Sequence, residues 1–184
     1  YRAIPNLLVI RPADANEAVV ASKIAFEHNR PSLVLLTRQG LPVLDRNVYP
    51  GPCSIEKGGY IISDCEKPDI MILATGSEVW VALDVKEKLS NQNIKVVNLA
   101  CWELFDEQNA DYKNDVLACS DTTLIVSLEA GITDGWQKYT GRNGLNIGIN
   151  TFGESAPGKD VAHHFGLNPE KVCDVIINKL KENK

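Results

Sequence analysis

Residues 69–89 read DIMILATGSEVWVALDVKEKL, and this stretch constrains the fold more than any other. Ile70-Met71-Ile72-Leu73-Ala74 is an unbroken apolar run, which as a strand needs cover on both faces. Thr75-Gly76-Ser77-Glu78 then turns the chain, and Val79, Ala82, Leu83 and Leu89 recur at helical spacing among Asp, Lys and Glu. A strand, a glycine and a helix start suggest an anion site. However, the dinucleotide fingerprint needs three glycines and a P-loop needs a Lys-Ser/Thr pair, and neither is present. Thr75 and Glu78 have the spacing of a capping box, with Thr75 accepting from the Glu78 N–H and Glu78 reaching back to that of Thr75. A carboxylate there would repel a phosphate, so the structural reading is preferred.

The same strand–helix grammar runs on both sides. Leu7 to Ile10 form a short buried strand; Asp14 and Glu17 repeat the capping spacing and start a helix with a stripe of Ala18, Ala21, Ile24, Ala25 and His28. Asn29-Arg30-Pro31 stops it, and Ser32 to Thr37 make a second apolar strand parallel to the first. Two strands and one helix leave a sheet face uncovered and are not stable alone. Residues 1–44 are therefore expected to be the end of a larger parallel sheet. Residues 45–58, with Pro50, Gly51, Pro52 and Gly58, read as a linker.

From residue 59 onward the expectation is a doubly wound α/β domain with a mostly parallel five-stranded sheet. Tyr60 to Ser63 form its antiparallel edge strand, turned back against the Ile70 strand. Further strands are expected at 94–99, 122–128 and 145–149. Residues 106–117 read as partly helical, and Glu129-Ala130-Gly131 open a helix that includes Trp136 and Tyr139. Ser155 caps a helix ending at Gly166, and Asn168-Pro169 begin the last, with Val172, Val175, Ile176 and Leu180 buried.

Composition removes several function classes. The net charge of -5 with scattered Lys and Arg gives no case for nucleic acid or an anionic membrane surface. No apolar run reaches membrane-spanning length and Tyr1 opens no signal peptide, so a cytoplasmic setting is expected. Cys53, Cys65, Cys101, Cys119 and Cys173 lie far apart without a C-x-x-C pair, which suggests core packing rather than disulfides or zinc.

Among polar residues, Arg38 follows a parallel strand, where open α/β sheets place ligand contacts. Its guanidinium could grip a phosphate or carboxylate bidentately, or pair with a nearby acid; on the residues alone the ion pair is preferred. Glu78, Glu103, Glu129 and Glu154 each follow a strand, and serving helix N-termini is preferred to holding a metal. His163 and His164 diverge by about 100° on a helix and cannot chelate together. No nucleophile elbow is present. No catalytic, cofactor-binding or metal residue is assigned to the chain.

Longer blocks carry a resemblance. RAIPNLLVIRPADANE, LTRQGLPVL, ILATGSEV, CWELFDEQ, EAGITDGWQKY and TFGESAPGKDVAHHFGLNPEKV, in this order, resemble the C-terminal part of transketolase. The resemblance implies residues 1–44 as the end of the pyrimidine-binding domain and 59–184 as the C-terminal domain. It implies an enzyme of the pentose phosphate pathway that moves a two-carbon ketol unit between sugar phosphates as a homodimer, using thiamine diphosphate and Mg²⁺. Those cofactors are held by other parts of the family's chain, so none is expected on this one, and the chain alone is expected inactive. The family's arginine on the RQ loop contacts the substrate phosphate and maps onto Arg38, which reverses the ion-pair preference. The usual Arg-Gln-Asn is here Arg38-Gln39-Gly40, a change that should loosen the loop. The alternatives are a non-catalytic dimerisation or regulatory module using Trp136 and Tyr139, or another thiamine diphosphate enzyme. The CWELF and TFGESAP blocks weigh against the latter.

Overall fold

The structure, a computed structural model, describes residues 1–182. The chain divides into two compact units: residues 1–63, 75–77 and 97–118 make one, and residues 64–74, 78–96 and 119 onward the other.

In the first unit, β1 (Leu8–Ile10) is fully buried and pairs in parallel with β2 (Ser32–Val34), Val9 opposite Leu33. Between them lies α1 (Ala15–Glu27), the expected crossover. Its buried face is Glu17, Val20, Ala21 and Ile24. Val20 thus takes the place expected for His28, which lies beyond the helix end and is exposed. β2 is only half-buried and shorter than the apolar run; Leu36 beyond it is 67% exposed, and on α1 Val19 and Phe26 are 72% and 90% exposed. The Pro- and Gly-rich segment after it holds a 3-10 helix (Pro52–Lys57) that packs on α1 and buries Ile55 completely. Gly58 closes that turn at φ +81, and a Cβ there would lie 2.2 Å from the Phe105 backbone nitrogen, so only glycine fits. The same unit contains α3 (Trp102–Asp106) and α4 (Ala110–Val116). α4 lies within the partly helical stretch expected at 106–117; α3, which the sequence reading does not mark, is a helical turn that buries the apolar Trp102, Leu104 and Phe105.

The larger sheet has the order β3 (Tyr60–Ser63), β5 (Ile94–Asn98), β4 (Ile70–Ala74), β6 (Leu124–Leu128), β7 (Leu145–Ile147). It is mostly parallel with one antiparallel pair. The crossover through α2 (Glu78–Lys88) requires β4 and β5 to be parallel, which leaves β3 and β5 as that pair. The edge strand therefore lies where the sequence places it but against a different neighbour: β3 pairs with β5, not with β4.

In the second unit, β4 and β6 form the centre, with Ile72 opposite Val126. Ile70, Met71, Ile72 and Leu73 are wholly buried, each contributing roughly 1.5–3 kcal/mol of apolar burial. α2 packs on α7 (Pro169–Glu182), Val79, Ala82, Leu83 and Val85 being the buried apolar residues of one and Val172, Cys173 and Ile176 those of the other. Cys173 replaces the expected Val175, which is 42% exposed. The helix expected from Glu129 shrinks to α5 (Gln137–Thr140). Trp136 precedes it, 1% exposed, because its Nε1–H donates to the buried Glu129 Oε2 at 2.8 Å. This removes Trp136 from the surface role considered for it. α6 (Gly158–His164) starts after Pro157 without a side-chain cap, so Ser155 does not cap it.

Candidate functional site

Arg38 lies four residues past the end of β2, on the loop that the strand delivers to the C-terminal side of the small sheet. It is exposed and makes no hydrogen bond or ion pair with any described residue. Its local stay is one hydrogen bond, Thr37 Oγ1–H to the Gln39 carbonyl at 2.9 Å. Gly40 has open space around its Cβ position and no positive φ, so its backbone is not forced into a conformation that only glycine adopts.

The loop is held at both ends. On the strand side the Leu35 N–H donates to the Ile10 carbonyl at 2.9 Å. On the other side the Leu44 N–H donates to Asp14 Oδ2 at 3.0 Å, and Leu44 is 1% exposed. Asp14 is the N-cap of α1, and its Oδ1 accepts from the Glu17 N–H at 2.8 Å. The guanidinium of Arg46 completes the arrangement, with Nη2 2.7 Å from Asp14 Oδ2 and Nη1 donating to the Pro50 carbonyl at 2.6 Å.

Behind Asp14 the Glu17 side chain is wholly buried. Its carboxylate accepts from the Ala13 N–H at 2.8 Å, from Asn98 Nδ2 at 3.1 and 3.2 Å, and from the Tyr60 hydroxyl. Arg46 Nη2 stands 4.0 Å away. Burial outweighs these donors and pushes the Glu17 carboxyl above the usual carboxylate range, while burial and the nearby Glu17 charge push the Tyr60 hydroxyl up as well. The sequence signals Asp14 and Glu17 only as a helix start. It misses Arg46, Tyr60 and Asn98, because nothing local marks residues 32 to 81 positions away as partners of Asp14 or Glu17.

The four acids after strands differ in burial and in partner. Glu78 is buried and accepts from the Ala130 N–H at 2.9 Å; Glu129 holds Trp136. Glu103 accepts from the Val9 N–H and the Cys101 thiol, both at 3.2 Å, and Glu154 is exposed. The expected capping box at Thr75 is absent on the threonine side: Thr75 Oγ1 is buried without a hydrogen-bond partner. Both histidines of α6 are exposed. Only two of the five cysteines, Cys101 and Cys173, are core packers as expected; all five are free, and burial pushes the Cys101 thiol up to about 12. Among the described residues no three His, Cys, Asp or Glu side chains are grouped to hold a metal ion, and no helix is long and apolar enough to cross a membrane.

Comparison with known proteins places this geometry. The family described as the transketolase-like TK C-terminal domain matches residues 58–168. The transketolase of Aquifex aeolicus is 50% identical over 97% of this chain and 26% of its own length. The chloroplastic transketolase of Solanum tuberosum is 45% identical over 94% of this chain and 24% of its own length. In crystal structures, a transketolase variant from Pichia stipitis superposes with a TM-score of 0.90 at 36% identity, over all of this chain and 26% of that one. The chain thus spans about a quarter of the length of these relatives. It belongs to the transketolase family, and residues 58–168 are a transketolase-like C-terminal domain.

Proposed function

We infer that this chain serves in a transketolase, an enzyme that transfers a two-carbon ketol unit from a ketose phosphate to an aldose phosphate in the pentose phosphate pathway. The observation that carries the reading is Arg38: an exposed guanidinium, unpaired among the described residues, on the loop after β2, in a chain of this family. Its role is to grip the phosphate of the sugar substrate with two parallel N–H donors.

Thiamine diphosphate and Mg²⁺, which the family resemblance implies, are taken to be held by other parts of the enzyme. The cofactor supplies the carbanion chemistry there. This chain contributes substrate binding and structural support. The exposed Leu36, Val19 and Phe26 favour cover by other parts of the whole enzyme, which we take to be a cytoplasmic homodimer. The plastid setting belongs to the plant relatives by name.

The test is Arg38→Ala in the whole enzyme. A lost charge-assisted phosphate contact of about 2 kcal/mol corresponds to a roughly 30-fold higher KM for sugar phosphates. An unchanged KM removes Arg38 from the site.

A further inference from the structure

We propose that Asp14 is a positioning residue for Arg38, holding the far end of the substrate-phosphate loop through its second carboxylate oxygen. This rests on the reading of Arg38 as the phosphate-gripping group.

Three facts carry it. Residues 36–43 span two anchors, the Leu35 N–H on the Ile10 carbonyl and the Leu44 N–H on Asp14 Oδ2. Between the anchors the loop has little of its own to fix it: Thr37 bonds only within the loop, and Gly40 touches nothing that a Cβ would meet. Asp14 itself cannot drift. Its side chain is 0% exposed, and its Oδ1 is committed to the first turn of α1 through the Glu17 N–H. Oδ2 therefore offers a fixed point, and it takes both the Leu44 N–H and the Arg46 guanidinium, which is 19% exposed and also bonded to the Pro50 carbonyl. A helix cap needs one oxygen. The other is spent on the loop and on the segment after it.

Releasing that oxygen lengthens the stretch that must be held from β2 alone and lets Arg38 sample positions off the phosphate. The cost falls on binding of the phosphoryl group, not on chemistry at the other end of the sugar. Asp14→Asn separates the two duties. Asparagine caps helices well, so the Glu17 N–H keeps its acceptor, but an amide nitrogen facing the Leu44 N–H and Arg46 sets donor against donor.

The experiment compares kcat/KM for a phosphorylated sugar and its unphosphorylated analogue in the whole enzyme, for wild type, Asp14→Asn, Arg38→Ala and the double variant. The expected result is a roughly five- to ten-fold fall in the phosphorylated-to-unphosphorylated ratio for Asp14→Asn, and no further fall when it is added to Arg38→Ala. Equal losses on both substrates, or a full additive fall in the double variant, overturn the proposal: Asp14 would then be structural only. If Arg38→Ala alone leaves the ratio unchanged, the phosphate assignment itself is wrong, and the proposal goes with it. Should Asp14→Asn fail to fold, Arg46→Gln weakens the same tie from its more exposed side. In the same cycle with Arg38→Ala, a fall in the ratio that does not add supports the proposal, and equal or additive losses overturn it.

Discussion

The starts of α1 and α2 carry the same sequence signature and use it differently. Both have an oxygen-bearing residue followed three positions later by glutamate, Asp14 with Glu17 and Thr75 with Glu78. At α1 the cap forms as spacing suggests, with Asp14 Oδ1 on the Glu17 N–H, and Glu17 turns back on the Ala13 N–H, one residue earlier than a standard box. At α2 the threonine hydroxyl is left unpaired and the glutamate reaches the Ala130 N–H, 52 residues on. The signature announces a helix start in both cases. It does not announce where the carboxylate goes, because a buried carboxylate goes to whichever donors the tertiary structure leaves without acceptors.

Four substitutions at three positions break or sharpen that contrast. Glu17→Ala should cost the most, about 3 kcal/mol, since it strands the Ala13 N–H, the Asn98 amide and the Tyr60 hydroxyl in a wholly buried place. The shift in denaturant midpoint of the intact protein measures it. The same residue has a pH signature. Its folded value is raised above the ordinary 4.5, so the folded state holds the proton after the unfolded state has released it. The stability it contributes is present below pH 4.5 and is lost as pH rises through the folded value. Replacement by Gln should remove that falling segment from a plot of stability against pH, and an unchanged plot would show that Glu17 does not titrate there. Glu78→Ala should cost less, about 1–2 kcal/mol, since it leaves the Ala130 N–H without this acceptor. Thr75→Val should cost nothing or stabilise by a few tenths of a kcal/mol, because the hydroxyl it removes has no partner. A loss above about 1 kcal/mol at Thr75 would mean that the hydroxyl is satisfied in solution and that the two helix starts are alike after all.

Much of the fold is legible in the sequence because its signals are local. The runs at 70–74 and 124–128 are apolar at every position but Ser127, as strands covered on both faces must be, and they lie side by side. What the sequence misses is set at long range. The neighbour of β3 depends on where the α2 crossover lays β5. The helix expected from Glu129 forms only at Gln137–Thr140, and the Glu129 carboxylate accepts from the Trp136 Nε1–H. At the candidate site, the placement of Arg38 after a strand is legible, and the family resemblance gives it a role. The tie from Asp14 to Leu44 and Arg46 is not, since the Pro- and Gly-rich composition around Arg46 reads as a free connector, whereas Arg46 is hydrogen-bonded and Ile55 is buried.

The partners of Glu17 also set an order of events in time. Tyr60 is 43 residues further along the chain and Asn98 is 81. At roughly 5–20 residues per second of synthesis, the helix that carries Glu17 leaves the ribosome about 4–16 s before the amide that will receive its carboxylate. During that interval the first unit, assembled from three separate stretches of chain, lacks the last of them. Burial of Glu17 against all of its partners is thus a late event in synthesis, possible only once residues 97–118 are present.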